Sequence, residues 1–112
     1  MRFKYATLLL GIASAAACAT NQGSQGTARE VSGVRIVEEV PGLWARATFA
    51  ADSAIKLAMA RVPGGQITEA ELEEENGRVV YSFEIKVTNQ PGQQEVDVDA
   101  STGEVLKVEQ DS

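Results

Sequence analysis

The sequence contains no histidine and a single cysteine, Cys18, among its 112 residues. Without histidine, neither a Ser-His nor a Cys-His nucleophile pair can form. One cysteine excludes an internal disulfide, and with no histidine beside it a His/Cys zinc site is excluded too. Long apolar runs are also missing. The most apolar stretch, residues 6–13, falls well short of the ~20 residues that span a bilayer. Positive charge is scarce: ten Lys and Arg stand against sixteen Asp and Glu, a net charge of −6. Setting aside Arg2 and Lys4 at the N-terminus leaves eight bases against sixteen acids. That balance argues against nucleic acid or an anionic lipid surface as partner. No catalytic, cofactor-binding or metal-binding residue set is visible, so an enzyme is not expected.

What is present begins with a leader. Residues 1–4 are short and basic, residues 6–13 are apolar around Leu8, Leu9 and Leu10, and Ser14-Ala15-Ala16-Ala17 is small-residue sequence. This is the pattern of a secretory signal peptide over residues 1–17. Cys18 follows directly. Ala15-Ala16-Ala17-Cys18 resembles the lipobox of bacterial lipoproteins, in which the cysteine becomes the lipidated first residue, although that family usually has Leu at the position of Ala15. The resemblance implies a membrane anchor through lipidated Cys18, and Ala19 after it implies the outer membrane, facing the periplasm. The alternative is ordinary cleavage that leaves a soluble periplasmic protein with a free thiol, an oxidation liability in an exported protein.

Residues 18–33 carry this cysteine and then a stretch rich in Gly, Ser, Gln, Asn and Thr, read as a flexible linker. Residues 34–47 form an N-terminal arm, whose Val34, Ile36, Val37 and Val40 fit a short strand or a loosely packed segment. Trp44, the only tryptophan, is either a lid over the core or an exposed aromatic anchor for a partner.

The folded part, residues 48–112, is organised around residues 78–87. Val79, Tyr81, Phe83, Ile85 and Val87 alternate with Arg78, Ser82, Glu84 and Lys86, with Val80 the one apolar exception. That is a strand with one buried face. Before it, Ala51, Ala54, Ile55, Ala58 and Val62 give a helical stripe over residues 51–62. Pro63-Gly64-Gly65 ends the helix, and Ala50 leaves it without a strong N-cap unless Thr48 serves. Residues 66–75 form a second strand, in which the parity change between Ile67 and Ala70 marks a bulge. Asn76-Gly77 joins these two strands in a type I′ hairpin. Two more strands are expected at 95–99 and 104–108, with Leu106 and Val108 inward. The fold class is therefore α+β: one helix packed on a four-stranded antiparallel meander.

The order and spacing of Val62-Pro63-Gly64-Gly65, Glu71-Leu72-Glu73-Glu74-Glu75-Asn76-Gly77, Val80-Tyr81-Ser82-Phe83-Glu84-Ile85 and Val96-Asp97-Val98-Asp99-Ala100-Ser101-Thr102-Gly103-Glu104-Val105 resemble the PepSY domain. The resemblance implies a cystatin-like fold, found in exported proteins and in propeptides of some metallopeptidases. It also implies a part in regulating or inhibiting a peptidase, with no catalytic or ligand-binding residue set to carry over.

Two acidic motifs have plain readings. Asp97, Asp99 and Ser101 imitate the start of a calcium loop, but its sixth and twelfth positions are Thr102 and Val108 instead of Gly and Glu. Asp97 is thus placed on the solvated face and Asp99 at a turn. Glu73-Glu74-Glu75 reads as a charged strand end that blocks edge aggregation, with attraction of a basic partner as the alternative. The expected function is a non-catalytic envelope module that binds another protein, with Glu84, Glu95, Asp97 and Trp44 as contact residues. The alternative is a structural envelope lipoprotein with no specific peptidase partner.

Overall fold

The computed structural model describes residues 26–111. Cys18 and the leader lie outside them. No helix among the described residues is long and apolar enough to cross a membrane. The strands are β1 (Ala28–Val31), β2 (Val34–Glu38), β3 (Gly65–Glu75), β4 (Arg78–Val87), β5 (Gln93–Asp99) and β6 (Val105–Asp111), and α1 spans Ala51–Arg61. They form one sheet in sequence order, antiparallel throughout except that β2 runs parallel to β3. The class is α+β as expected, but the sheet has six strands where four were expected. Two of them come from the N-terminal segment: β2 from the arm, and β1 from within the stretch read as linker.

The helix covers one face, against β3, β4, β5 and β6. Its buried side consists of Ala54, Ile55 and Ala58, and the two alanines let its axis approach the sheet closely. Beneath it lie Val79, Tyr81, Phe83 and Ile85 of β4, with Ala70 and Leu72 on one side and Val96 and Val98 on the other. Tyr81 is buried and donates its hydroxyl to the carbonyl of Phe49 at 2.8 Å. Ala50 is the N-cap and offers no side-chain bond. Thr48 does not replace it, because its hydroxyl bonds the carbonyl of Ser101 at 3.5 Å.

The Asn76-Gly77 turn has φ of 53° and 80°, as its sequence requires. The expected bulge lies between Ile67 and Glu69. In β6 the reading needs correction. A register shift beside Asp97 and Val98 moves Leu106 to the side of Val80, where both border one hollow; Val108, opposite the buried Val96, keeps the expected side but is 42% exposed on the edge strand. Val105 packs on the core instead. A bulge reverses which side a strand's residues face, so alternation counted from the turn fails there.

Candidate functional site

Among the described residues no helix covers the sheet's second face. Strand alternation places on it Glu69, Glu71, Glu73 and Glu75 from β3, and Arg78, Val80, Ser82, Glu84 and Lys86 from β4. The register then aligns rows across the strands. Glu71, Ser82, Asp97 and Lys107 form one row, and Glu69, Glu84, Glu95 and Glu109 the next. Val80 is buried on this face, apart from the core cluster beneath the helix.

Burial first, and then repulsion between like charges in adjacent strand positions, makes these carboxyls hold protons. Burial, followed by repulsion from Asp111, Glu95 and Glu69, pushes Glu84 up to about 7. Burial and the flanking Glu71 and Glu75 push Glu73 up to about 8. Asp97 is only 2% exposed. It lies beneath its neighbours, which corrects its expected place on a solvated surface. Burial is the main cause that raises it to about 6, with Glu95 adding to the rise and Ser82 and Lys107 opposing it. Its Oδ2 is 3.8 Å from Lys107 Nζ, while its Oδ1 is buried without a hydrogen-bond partner. Lys107 Nζ also lies 3.4 Å from Glu95, and these acids raise its own pKa. Asp99 is different. Its Oδ1 accepts the amides of Ser101 and Thr102 at 2.7 and 3.0 Å, and Arg78 stands 3.4 Å from its Oδ2. Those contacts outweigh its burial and hold its pKa below the usual value. It is a turn residue, as expected.

The structure therefore brings together Glu84, Glu95 and Asp97. Trp44 stands elsewhere, on the helix side. Its ring packs 6.4 Å from Tyr81, Arg29 sits 4.4 Å over it, and its Nε1 donates to the carbonyl of Thr27 at 2.9 Å. Those contacts make it a lid that pins β1. Beneath it Glu38, 4% exposed, accepts the amides of Thr27 and Trp44, each at 2.9 Å. Burial alone would raise the Glu38 pKa, but these amides, with those of Gly42 and Leu43, bring it below the usual value.

Sequence reasoning missed Glu69, Glu71 and Asp111 on the open face. The alternating Glu69, Glu71, Glu73, Glu75 was a visible signal for the first two. One carboxylate oxygen from each of Glu84, Glu95 and Asp111 lies within 4.8 Å of the others, so among the described residues these could hold a hard cation. Glu95 is already engaged by Ser82 and Lys107. Chemically, the face can bind charge. It has no histidine or thiol to act as nucleophile or general base.

Among known proteins, a family model described as "PepSY: Peptidase propeptide and YPEB domain" matches residues 50–109. Neither the curated proteins nor the solved structures contain a match.

Proposed function

The chain belongs to the PepSY family, and from that membership we propose that it is a non-catalytic protein-binding module of the cell envelope that regulates or inhibits a peptidase. The observation that carries this reading is the sheet face that no described helix covers, a broad ordered surface rich in acidic groups and without histidine or thiol. The family's description as a peptidase propeptide domain supports the choice of a peptidase as partner. The leader and Cys18 support export and lipid attachment: residues 1–17 are removed, and acyl chains on Cys18 hold the protein to the outer membrane. Each buried CH₂ of such a chain contributes about 0.8 kcal/mol. Glu84 and Glu95, above the buried Asp97, supply the contact on one side of the sheet, and the rim of Trp44 supplies a second on the other.

The experiment is calorimetry of the purified chain against envelope peptidases at low and moderate salt. Binding with slowed peptidase turnover is expected. Heatless titrations with every peptidase, together with turnover of a small-molecule substrate by the chain itself, would overturn the reading in favour of an enzyme.

A further inference from the structure

We propose that the open face of the sheet docks an extended, arginine- or lysine-bearing segment of the partner protein, laid along β3. The inference rests on reading the domain as a binding module, and adds which face binds and what chemistry it recognises.

The first ground is unmatched charge. The cations of this face are already engaged. Arg35 pairs with Glu30, Arg78 with Asp99, and Lys107 with Glu95 and Asp97, while Lys86 donates to the carbonyl of Gln90. Among the described residues no ion pair reaches Glu69, Glu71, Glu73, Glu84 or Asp111. An incoming cation would therefore meet carboxyls that no ion pair holds, beside the exposed Arg35 that borders the same hollow as Glu69 and Glu71, and it would displace the protons that Glu73 and Glu84 retain near neutrality.

The second ground is Asp97. It lies on the same face, is nearly fully buried, and leaves one oxygen without a donor. Buried polar atoms in native proteins nearly always have a partner.

The third ground is spacing. Glu69, Glu71 and Glu73 are alternate residues of one strand, so they recur every ~6.6 Å. Alternate side chains of an extended peptide recur at the same interval. Beside them lies a hollow of about 270 Å³ bordered by Glu69, Glu84, Gln93 and Asp111, with room for one guanidinium or ammonium group. A bare metal ion fits less well, because the carboxyls without an ion pair run along β3 well beyond the Glu84, Glu95, Asp111 trio.

The test uses an alternating Arg-Ser peptide as probe, titrated into the purified chain. Two triple variants are compared: Glu69→Gln/Glu71→Gln/Glu84→Gln on the face, and Glu39→Gln/Asp52→Asn/Glu104→Gln away from it, both checked by thermal melts. The face variant should weaken binding about tenfold or more and the control less than about twofold. Equal weakening would mean diffuse attraction to an acidic protein and sink the proposal. So would saturable calcium binding that the face variant abolishes while peptide binding is unchanged. If a peptidase binds but neither the peptide nor the face variant matters, the docking face is wrong and the peptidase reading stands. If the peptide binds at the face and no peptidase does, the docking face stands and the peptidase reading falls.

Discussion

The carboxylate of Glu38 accepts the main-chain amide of Trp44 at 2.9 Å, so the charge that closes the N-terminal region is held by backbone. Its other oxygen takes the amide of Thr27. One buried side chain thus ties the segment before β1 to the turn that carries the tryptophan.

Replacing it exposes this dependence. Glu38→Ala leaves the part-buried amides of Thr27 and Trp44 without their acceptor, which costs about 1–3 kcal/mol in all. Urea unfolding should show a loss of about that size, and Trp44 emission should shift to the red as the lid loosens. An unchanged midpoint would show that the clamp carries no stability.

Two glycines separate backbone strain from crowding. Gly77 and Gly103 have φ of 80° and 82°. A Cβ on Gly77 would meet nothing within 4 Å, whereas one on Gly103 would lie 2.4 Å from the Phe49 ring. Gly77→Ala should cost about 1–2 kcal/mol from the left-handed backbone alone. Gly103→Ala should cost about 1–3 kcal/mol more from overpacking. Equal losses in thermal melts would refute the contact with Phe49.

The helix start offers a gain. Ala50 occupies the N-cap with no side-chain bond, so Ala50→Ser should stabilise by about 1 kcal/mol. A melting temperature that fails to rise would mean the serine does not reach the free amides.

Stability should also depend on pH in a definite direction. Glu73, Glu84 and Asp97 have raised values of about 8, 7 and 6, against ordinary values of 4.5, 4.5 and 3.8. The folded state therefore binds more protons than the unfolded chain between those limits. Stability falls as pH rises through that window. Glu38 and Asp99 act oppositely: their lowered values give stability that is complete above the ordinary carboxylate range and is lost as pH falls below it. The melting temperature should peak near about pH 5, and Glu73→Gln should flatten the decline toward pH 8. A profile that instead rises from pH 5 to 8 would contradict the crowding of acids on the open face.

The anchor is tested separately. Cys18→Ser should move the protein from the membrane fraction to the soluble envelope fraction. An unmodified Cys18 thiol found by mass spectrometry in the wild type would end the lipoprotein reading.

Much of this architecture was legible because local chemistry announced it. Alternation in β4, the stripe of α1 and the Asn76-Gly77 turn each depend on neighbouring residues alone. What escaped depended on distant ones. The turn at Ser32 and Gly33, with φ of 50° and 81°, was hidden in a Gly- and Ser-rich stretch. β1 itself carries little apolar surface and is held by pairing with β2 and by Trp44. The side of Leu106 was misread because a one-residue irregularity changes parity without any composition cue. For the site, Glu84, Glu95 and Asp97 could be placed on one face from alternation. The burial of Asp97 and the approach of Asp111 required the strand register.

The parallel junction of β2 with β3 has a consequence for how the molecule bears load. Antiparallel neighbours here are joined by short turns, whereas β2 reaches β3 only after the chain has passed through α1. Contacts that close a longer loop carry a greater entropic cost and form later. The β1–β2 hairpin should therefore be the last piece to dock and the first to open, with its amides exchanging hydrogen ahead of those in β4 and β5. It is also the piece joined to the N-terminal chain. Tension arriving through that chain should open the hairpin before the strands of residues 50–109, drawing Ile36 out of the core first, so the hairpin is placed to act as a mechanical fuse.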